Sequence, residues 1–310
     1  MTYQLDIMSK SCFLVLVFAL SALSANSQYY YKDILVNRQT QENWRSYSSN
    51  KVSKVTILST EGNGEPTPGF VCNQTISSDF HSILTFTKSA DVQPSSLQAF
   101  YDATGRILKT VDTSDTYRST TEYTYNDQGE LSALSNTALE TDNHVEAYEK
   151  HIWFYKEGKP VRMLKIKGGK DTTIVDFKTD DKGNIIEERP FHGKESLPVV
   201  YYYYDNEARL TDIVRYNEKA GRLLPDYVFE YGPQGISSML FVPSGSNNYQ
   251  KWIYEYDEHG LKIRETCFNK RKEVGARIGD QYSFREINAS LQIKPASSCC
   301  VSRTTQMECR

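Results

Sequence analysis

The residues of this chain that could do chemistry are scattered, and the histidines show this most clearly. Five histidines occur among 310 residues, and no two have a spacing that would bring a pair of imidazole rings to one metal ion. They are His81, His144, His151, His192 and His259. We therefore predict structural or surface roles for the histidines, and no metal site.

The acidic residues follow a regular pattern. One carboxylate stands at each of five similar turns: Asp102, Asp127, Asp181, Asp205 and Asp257. Such a residue accepts hydrogen bonds from backbone N–H groups two residues on, so turn formation accounts for the pattern. The chain also lacks the nucleophile elbow, the phosphate-binding loop, the zinc-protease motif and the calcium loop. The sequence predicts a protein that is not an enzyme, with no catalytic residues and no cofactor; a catalytic pair assembled from distant strands is the alternative that it leaves open.

The aromatic residues are numerous enough to suggest a binding surface, with 22 tyrosines and 3 tryptophans. Our binding candidates are Trp153, Tyr203, Trp252 and Tyr254. Exposed aromatic rows could stack on sugar rings or contact a protein. The competing interpretation is that these rings hold a sheet together, because their spacing follows the pleat of a strand.

These residues sit in a repeated unit. Seven turns, at residues 105, 129, 158, 183, 208, 235 and 260, follow one another at intervals of 24 to 29 residues. In each unit, an alternating aromatic strand leads into a short polar turn, and an alternating charged and apolar strand leaves it. Aspartate starts the turn and glycine takes the position with positive φ. The predicted turn residues are Asp102, Gly105, Gly129, Gly183, Asp205, Asp257 and Gly260.

The period predicts an all-β fold of antiparallel β-hairpin repeats. About 25 residues suffice for two strands and two turns, and no stretch after residue 28 has a convincing helical period. Residues 28–96 read as an N-terminal β segment of atypical, capping repeats, and residues 97–286 as the repeat body. We expect an extended or curved meander sheet that does not close into a shell.

The turn pattern resembles the YD (tyrosine–aspartate) repeat of RHS-like proteins. Tyr101–Ile107 (YDATGRI) matches it fully, and Tyr204–Leu210 and Tyr256–Leu261 match it in part. The resemblance implies a cell-surface or secreted β-rich bacterial protein, and carbohydrate binding is attributed to some members of the family. This chain has only about seven degenerate units and no recognisable toxin or protease core, so the resemblance implies architecture and export and transfers no catalytic residues.

The N-terminus has the pattern of a cleavable signal peptide, residues 1–27. A basic Lys10 precedes the apolar run at residues 12–23, and the small residues at 25–27 fit cleavage before Gln28. No second apolar run has spanning length, so we predict no transmembrane helix and a location in the periplasm, at the cell surface or outside the cell. Five cysteines follow the cleavage site, an odd number. Residues 287–310, with Cys299, Cys300 and Cys309, read as a polar tail.

Three functions remain open at this stage. A formal net charge of −3 argues against nucleic acid as the partner. The preferred hypothesis is an exported structural or protein-interaction scaffold of the cell envelope, whose partner is an unknown protein. The alternative is a carbohydrate-binding module that binds a glycan through its aromatic rows. An outer-membrane barrel fits the alternating strands loosely, but charged residues interrupt both faces of many of them.

Overall fold

The structure is a computed structural model that describes residues 29–90, 92–141, 145–242 and 249–285. The predicted signal peptide, His144, the polar tail and its three cysteines lie outside the described residues. Among the described residues, no helix is long and apolar enough to cross a membrane.

Within the described ranges, one helix precedes a long series of strands. The helix α1 spans Lys32–Ser49. The strands of the first half are β1 (Val52–Glu61), β2 (Val71–Ile76), β3 (Ser82–Ser89), β4 (Val92–Tyr101), β5 (Ile107–Ser114), β6 (Tyr117–Tyr125), β7 (Leu131–Glu140), β8 (Val145–Lys156) and β9 (Lys159–Lys167). Those of the second half are β10 (Asp171–Thr179), β11 (Ile185–His192), β12 (Glu195–Ser196), β13 (Val200–Tyr204), β14 (Leu210–Asn217), β15 (Arg222–Gly232), β16 (Gly235–Phe241), β17 (Gln250–Tyr256), β18 (Lys262–Asn269) and β19 (Val274–Phe284).

The sheet closes on itself, so the expectation of an open meander sheet was wrong. Each strand pairs antiparallel with the next; β12 is a two-residue spur on β11, and β11 pairs directly with β13. The last strand then pairs with the first, from Val52 opposite Phe284 to Glu61 opposite Ala276. Leaving out the spur, 18 strands of the described residues form a closed barrel. The hairpin pattern reports which strands are neighbours, whereas closure depends on strand number, twist and tilt.

The repeated turns gather at one end of the barrel, because alternate connections of an up-and-down sheet share an end. We call this the turn end; it carries Gly105, Gly129, Gly183 and Gly260, whose φ angles lie between +75° and +88°. Ala208 replaces glycine in the fifth unit and keeps φ at +60°. In most units the strand register shifts by one residue just before the turn, as between Phe100 and Tyr101. This shift is a β-bulge that bends the hairpin.

The helix α1 lies at the turn end and was not predicted, because the expected fold was antiparallel β throughout. Only Asp33 and Ile34 are buried within it, so its sequence shows no apolar stripe of helical period. Its polar side chains instead bond to the barrel. Asn37 Nδ2 donates to Tyr125 Oη (2.7 Å), and Gln41 Nε2 donates to the carbonyl of Thr104 at a turn tip (3.3 Å).

Two apolar clusters pack against the helix from opposite parts of the barrel wall. The first joins Tyr30, Tyr31 and Ile34 to inward side chains of β7–β14, among them Met163 and Val175, which are fully buried. The second surrounds Trp44 and Tyr47 with inward side chains of β1–β5 and Leu261. Because the two clusters lie at the two ends of α1, the helix ties opposite sides of the barrel together.

Candidate functional site

Most repeats are fastened to the preceding one through a tyrosine. The hydroxyl of Tyr125 donates to the carbonyl of Ile107 at 2.7 Å, and Tyr231 donates to Leu210 at 2.8 Å. The other pairs are Tyr155 to Leu131, Tyr204 to Ile185, Tyr256 to Ile236 and Tyr282 to Lys262. We call these six contacts the tyrosine ladder. The motif tyrosine therefore acts between units rather than within its own.

The arginine of the motif also acts between units. The guanidinium of Arg106 lies 5.1 Å from the ring centre of Tyr125, and that of Arg209 lies 4.7 Å from the ring centre of Tyr231. Unit four has Thr179 in place of the tyrosine. There Lys159 reaches forward instead, and its ammonium group donates to the carbonyls of Asp180 (3.5 Å) and Asp181 (3.4 Å).

The turn acids accept hydrogen bonds as the motif predicts. Asp102 Oδ1 accepts from the backbone N–H of Thr104 (2.8 Å) and of Arg106 (3.0 Å). Asp205 and Asp257 repeat this pattern. At two turns the acceptor is the residue before the predicted one: Asn126 instead of Asp127, and Asp180 instead of Asp181. These acids stabilise turns and do not converge.

The start of α1 is held by a buried acid on β11. Glu188 is fully buried, and its carboxylate accepts from the backbone N–H groups of Tyr30 and Tyr31 (2.9 Å each) and from Tyr202 Oη (2.7 Å). It thereby satisfies N–H groups that the helix itself cannot pair. Burial raises the pKa of Glu188 to about 7, against the lowering effect of these hydrogen bonds.

A second ionic contact fixes the first turn of α1. His151 Nδ1 bonds Asp33 Oδ2 at 2.6 Å, and His151 Nε2 bonds Glu149 at 3.1 Å. Burial alone would lower the pKa of His151, but the two carboxylates outweigh it and raise the pKa to about 9. Burial would raise the pKa of Glu149, but His151 and Lys165 lower it to about 2. This raised pKa favours the imidazolium form of His151, whose bond to Asp33 joins the helix to β8.

A further buried ionic cluster lies on β18 and β19, near the other end of the helix. Lys262 bonds Glu265, whose second oxygen has no hydrogen-bond partner within the described part of the chain. Burial raises the pKa of Asp280 to about 6, and the charge of Glu265 adds to this effect. Among the described residues, no group of three or more potential metal ligands is present, and Cys72 and Cys267 are buried and take part in no disulfide there.

The four sequence-based binding candidates do not come together. Trp153 is 4% exposed and stacks on Phe177 with ring centres 5.0 Å apart, and Trp252 is 3% exposed. Tyr254 faces the interior, where burial raises its pKa. Tyr203 alone of the four is on the outer wall, with 48% of its surface exposed. The two tryptophans are therefore core residues, and their spacing along the pleat favoured that interpretation.

A groove on the outer wall, lined by Tyr201 and Tyr216, was missed by the sequence analysis. It has a volume of about 630 Å³ and lies where the segment 196–199 passes β13, β14 and β15. Its floor carries Tyr201, Tyr216 and Leu223, and Ser196 and Glu218 supply polar groups. Tyr216 is 52% exposed and pairs across strands with Leu223. The run of four tyrosines at 201–204 was the available signal, because it places a tyrosine on both faces.

The outer wall elsewhere carries ion pairs between neighbouring strands. Arg162 pairs with Asp176 across β9 and β10 at 2.6 Å, and both side chains are exposed. The other such pairs are Lys109 with Glu122, Lys178 with Glu187, Lys251 with Glu230 and Arg264 with Glu255. Charge of both signs is thus spread around the outside of the barrel.

Comparison with known proteins yields distant structural similarities. The chain matches no protein-family model and no curated protein. A porin-like protein from Bacteroides uniformis is 10% identical, aligns over 75% of this chain and 98% of its own, and has a TM-score of 0.37. A Bacteroides fragilis protein described as exported, with a YmcC-like fold, is 10% identical over 73% of this chain and 92% of its own, with a TM-score of 0.15. A Bacteroides uniformis protein described as a 6-phosphogluconolactonase is 13% identical over 74% and 99%, with a TM-score of 0.13. These scores are too low to indicate what this chain does.

Proposed function

We propose that this protein is an exported, non-enzymatic scaffold whose outer wall contacts a protein partner. The observation that carries the proposal is the anchored helix. Glu188 and Asp33 hold the start of α1, and Trp44 Nε1 donates to the carbonyl of Phe80 at its other end (2.7 Å). The turn end is thereby filled and cross-braced, which makes the barrel a rigid support and leaves its outer wall as the surface available for contact.

The ion pairs of the outer wall support contact with water rather than with lipid. A barrel that spans a membrane turns an apolar band outward, and a charged residue in that band costs about 2–4 kcal/mol. Arg162 and Asp176 lie mid-strand and are exposed, as are Arg264 and Glu255. This observation favours the scaffold over the outer-membrane barrel.

The scaffold proposal is tested by crosslinking from defined positions. A photoreactive residue placed at Tyr203 or Tyr216 should capture one partner in cells that export the protein. The same residue at Tyr148, which is 38% exposed on a strand far from the groove, is the matched control. Capture of the same species with equal yield from Tyr148, or no capture from Tyr203 and Tyr216, would count against the proposal.

A second function, glycan binding, is favoured by the outer-wall groove that Tyr201 and Tyr216 line. Exposed tyrosine rings next to hydroxyl and carboxylate groups are suited to stacking on a sugar ring and bonding its hydroxyls. A glycan screen with purified protein should then give a saturable signal that Tyr216→Ala abolishes and Tyr148→Ala leaves intact. A folded, soluble sample that binds no glycan would exclude this second function.

A further inference from the structure

A buried carboxylate on the inner face of the barrel has an oxygen without a partner. Glu265 of β18 lies opposite Tyr254 of β17 and Ile278 of β19. Its side chain is 5% exposed, and its Oε1 bonds the ammonium group of Lys262. Its Oε2 has no hydrogen-bond partner within the part of the chain that the structure describes. Because nearly all buried polar atoms in proteins are paired, this oxygen marks a position that suits an additional donor.

A second acid lies beside this oxygen. Asp280 is two positions from Ile278 on the same face of β19, so it is a diagonal neighbour of Glu265. Burial raises the pKa of Asp280 to about 6; the charge of Lys262 acts against this shift, and the charge of Glu265 adds to it. Asp280 is therefore largely ionised above pH 7. The cluster of Lys262, Glu265 and Asp280 then holds two acids against one base, a negative balance inside the barrel.

The nearby tyrosine hydroxyls donate to other acceptors. Tyr282 Oη donates to the carbonyl of Lys262 at 2.6 Å and lies 3.5 Å from Asp280 Oδ2. Tyr47 Oη, on α1, donates to Gln74 Oε1 at 3.0 Å. A water molecule at the free carboxylate oxygen satisfies its hydrogen bond and leaves the negative balance in place, whereas a cation satisfies both.

The side chains around the cluster favour an organic cation over a metal ion. Among the described residues, no group of three or more potential metal ligands is present, and the ammonium group of Lys262 already repels a divalent ion from Glu265. The rings of Tyr47 and Tyr282 meet edge-on with centres 6.2 Å apart, and the ring of Tyr254 lies on the strand opposite Glu265. Aromatic faces attract organic ammonium groups, which also donate hydrogen bonds to carboxylates.

The cluster is not closed to solvent. The side chain of Lys262 is 35% exposed, although that of Glu265 is almost fully buried. The charge of Asp280 acts on Tyr47, so the second half of α1 adjoins the same place.

We propose that Glu265 and Asp280 form a binding site, inside the barrel, for the primary ammonium group of a small organic molecule. The free oxygen of Glu265 and the carboxylate of Asp280 accept its hydrogen bonds, and the tyrosine rings contact its alkyl part. This site is separate from the outer-wall contact of the proposed function, so either proposal can fail alone.

Titration with n-butylammonium chloride tests the proposal, with sodium chloride as the control for ionic strength. At about pH 8 the purified protein should bind the amine saturably in isothermal titration calorimetry, and its Tm should rise with the amine concentration. Glu265→Gln should weaken binding roughly tenfold or more, because it removes the charge at the free oxygen. The matched control is Glu255→Gln, which removes an exposed acid of the outer wall and should leave binding unchanged.

The second acid provides an independent measurement if Glu265→Gln does not fold. Asp280→Asn should also weaken binding of the amine. In the parent protein, affinity should fall as the pH is lowered through about 6, where Asp280 takes up a proton.

Three outcomes overturn the proposal. The folded parent could bind no butylammonium, or Glu255→Gln could lose as much affinity as Glu265→Gln and Asp280→Asn. Calcium chloride could also bind at Glu265 more tightly than the amine and displace it, which would assign the cluster to a metal ion.

Discussion

At the scale of single residues, the motif divides its work between two side chains. The acid shapes its own turn, as Asp102 does through the N–H groups of Thr104 and Arg106. The tyrosine bonds the exit strand of the preceding unit, as Tyr231 does at the carbonyl of Leu210. Removing the acid of a repeat therefore disturbs the geometry of its own turn. Removing the tyrosine deletes the hydrogen bond to the preceding repeat.

Removing one hydroxyl of the tyrosine ladder should destabilise the barrel measurably. Tyr231→Phe keeps the ring under Arg209 and deletes the bond to Leu210. We expect a loss of about 1 kcal/mol in the free energy of unfolding, measured by urea denaturation. Tyr203→Phe, on the outer wall, is the control and should change nothing. An equal loss in both variants would contradict the role given to the ladder.

Alanine substitutions at two glycines with similar φ angles distinguish the cost of backbone strain from the cost of a packing clash. A Cβ at Gly105 would lie 2.2 Å from the ring of Trp44, whereas at Gly260 nothing lies within 4 Å. Their φ angles are +81° and +75°. Gly260→Ala should cost about 1–2 kcal/mol from backbone strain alone. Gly105→Ala should cost about 2 kcal/mol more, because it displaces the helix. Equal losses in thermal denaturation would mean that Trp44 does not pack on this turn.

The ion pair between His151 and Asp33 predicts a pH dependence. The pKa of His151 is raised to about 9, against about 6.5 in an unfolded chain. Its contribution, about 3 kcal/mol, is therefore complete below pH 6.5 and is lost as the pH rises to about 9. The difference in unfolding free energy between the parent and His151→Gln should shrink across this range. A difference that stays constant from pH 6.5 to pH 9.5 would refute the charged state of His151.

At the scale of elements, the strands could be predicted from the sequence and the helix could not. Strands such as β17 can be recognised because aromatic and other residues alternate along them, with Trp252, Tyr254 and Tyr256 on one face. The helix buries little and is held by side-chain bonds to distant residues, as at Asn37 and Gln41. Those hydrogen bonds depend on tertiary structure, so they leave no periodic pattern in the local sequence. For the same reason Glu188 was passed over, since one acid in a strand gives no sign that it will meet a helix start.

At the scale of the whole molecule, closure decides which surfaces the protein exposes. The pairing of β1 with β19 hides two edges that an open sheet would present to other chains. A chain truncated after Asn269 lacks β19 and should leave the edges of β1 and β18 unpaired. We expect it to form dimers or larger assemblies, detected by light scattering. A truncated chain that stays monomeric and keeps its Tm would show that closure contributes little.

Closure also sets an order of events in time. Val52 meets Phe284, which lies 232 positions later, so the barrel is incomplete until almost the whole chain has arrived. A chain that crosses a membrane from its N-terminus onward delivers α1 and β1 first and the strand that seals them last. Until the last strand arrives, the growing sheet has two unpaired edge strands. Completion of the barrel therefore competes with pairing between the edge strands of separate copies. Under the export that we propose, the yield of the protein should therefore depend on how fast the chain is supplied and on the chaperones present where it emerges, more than on the stability of the finished barrel.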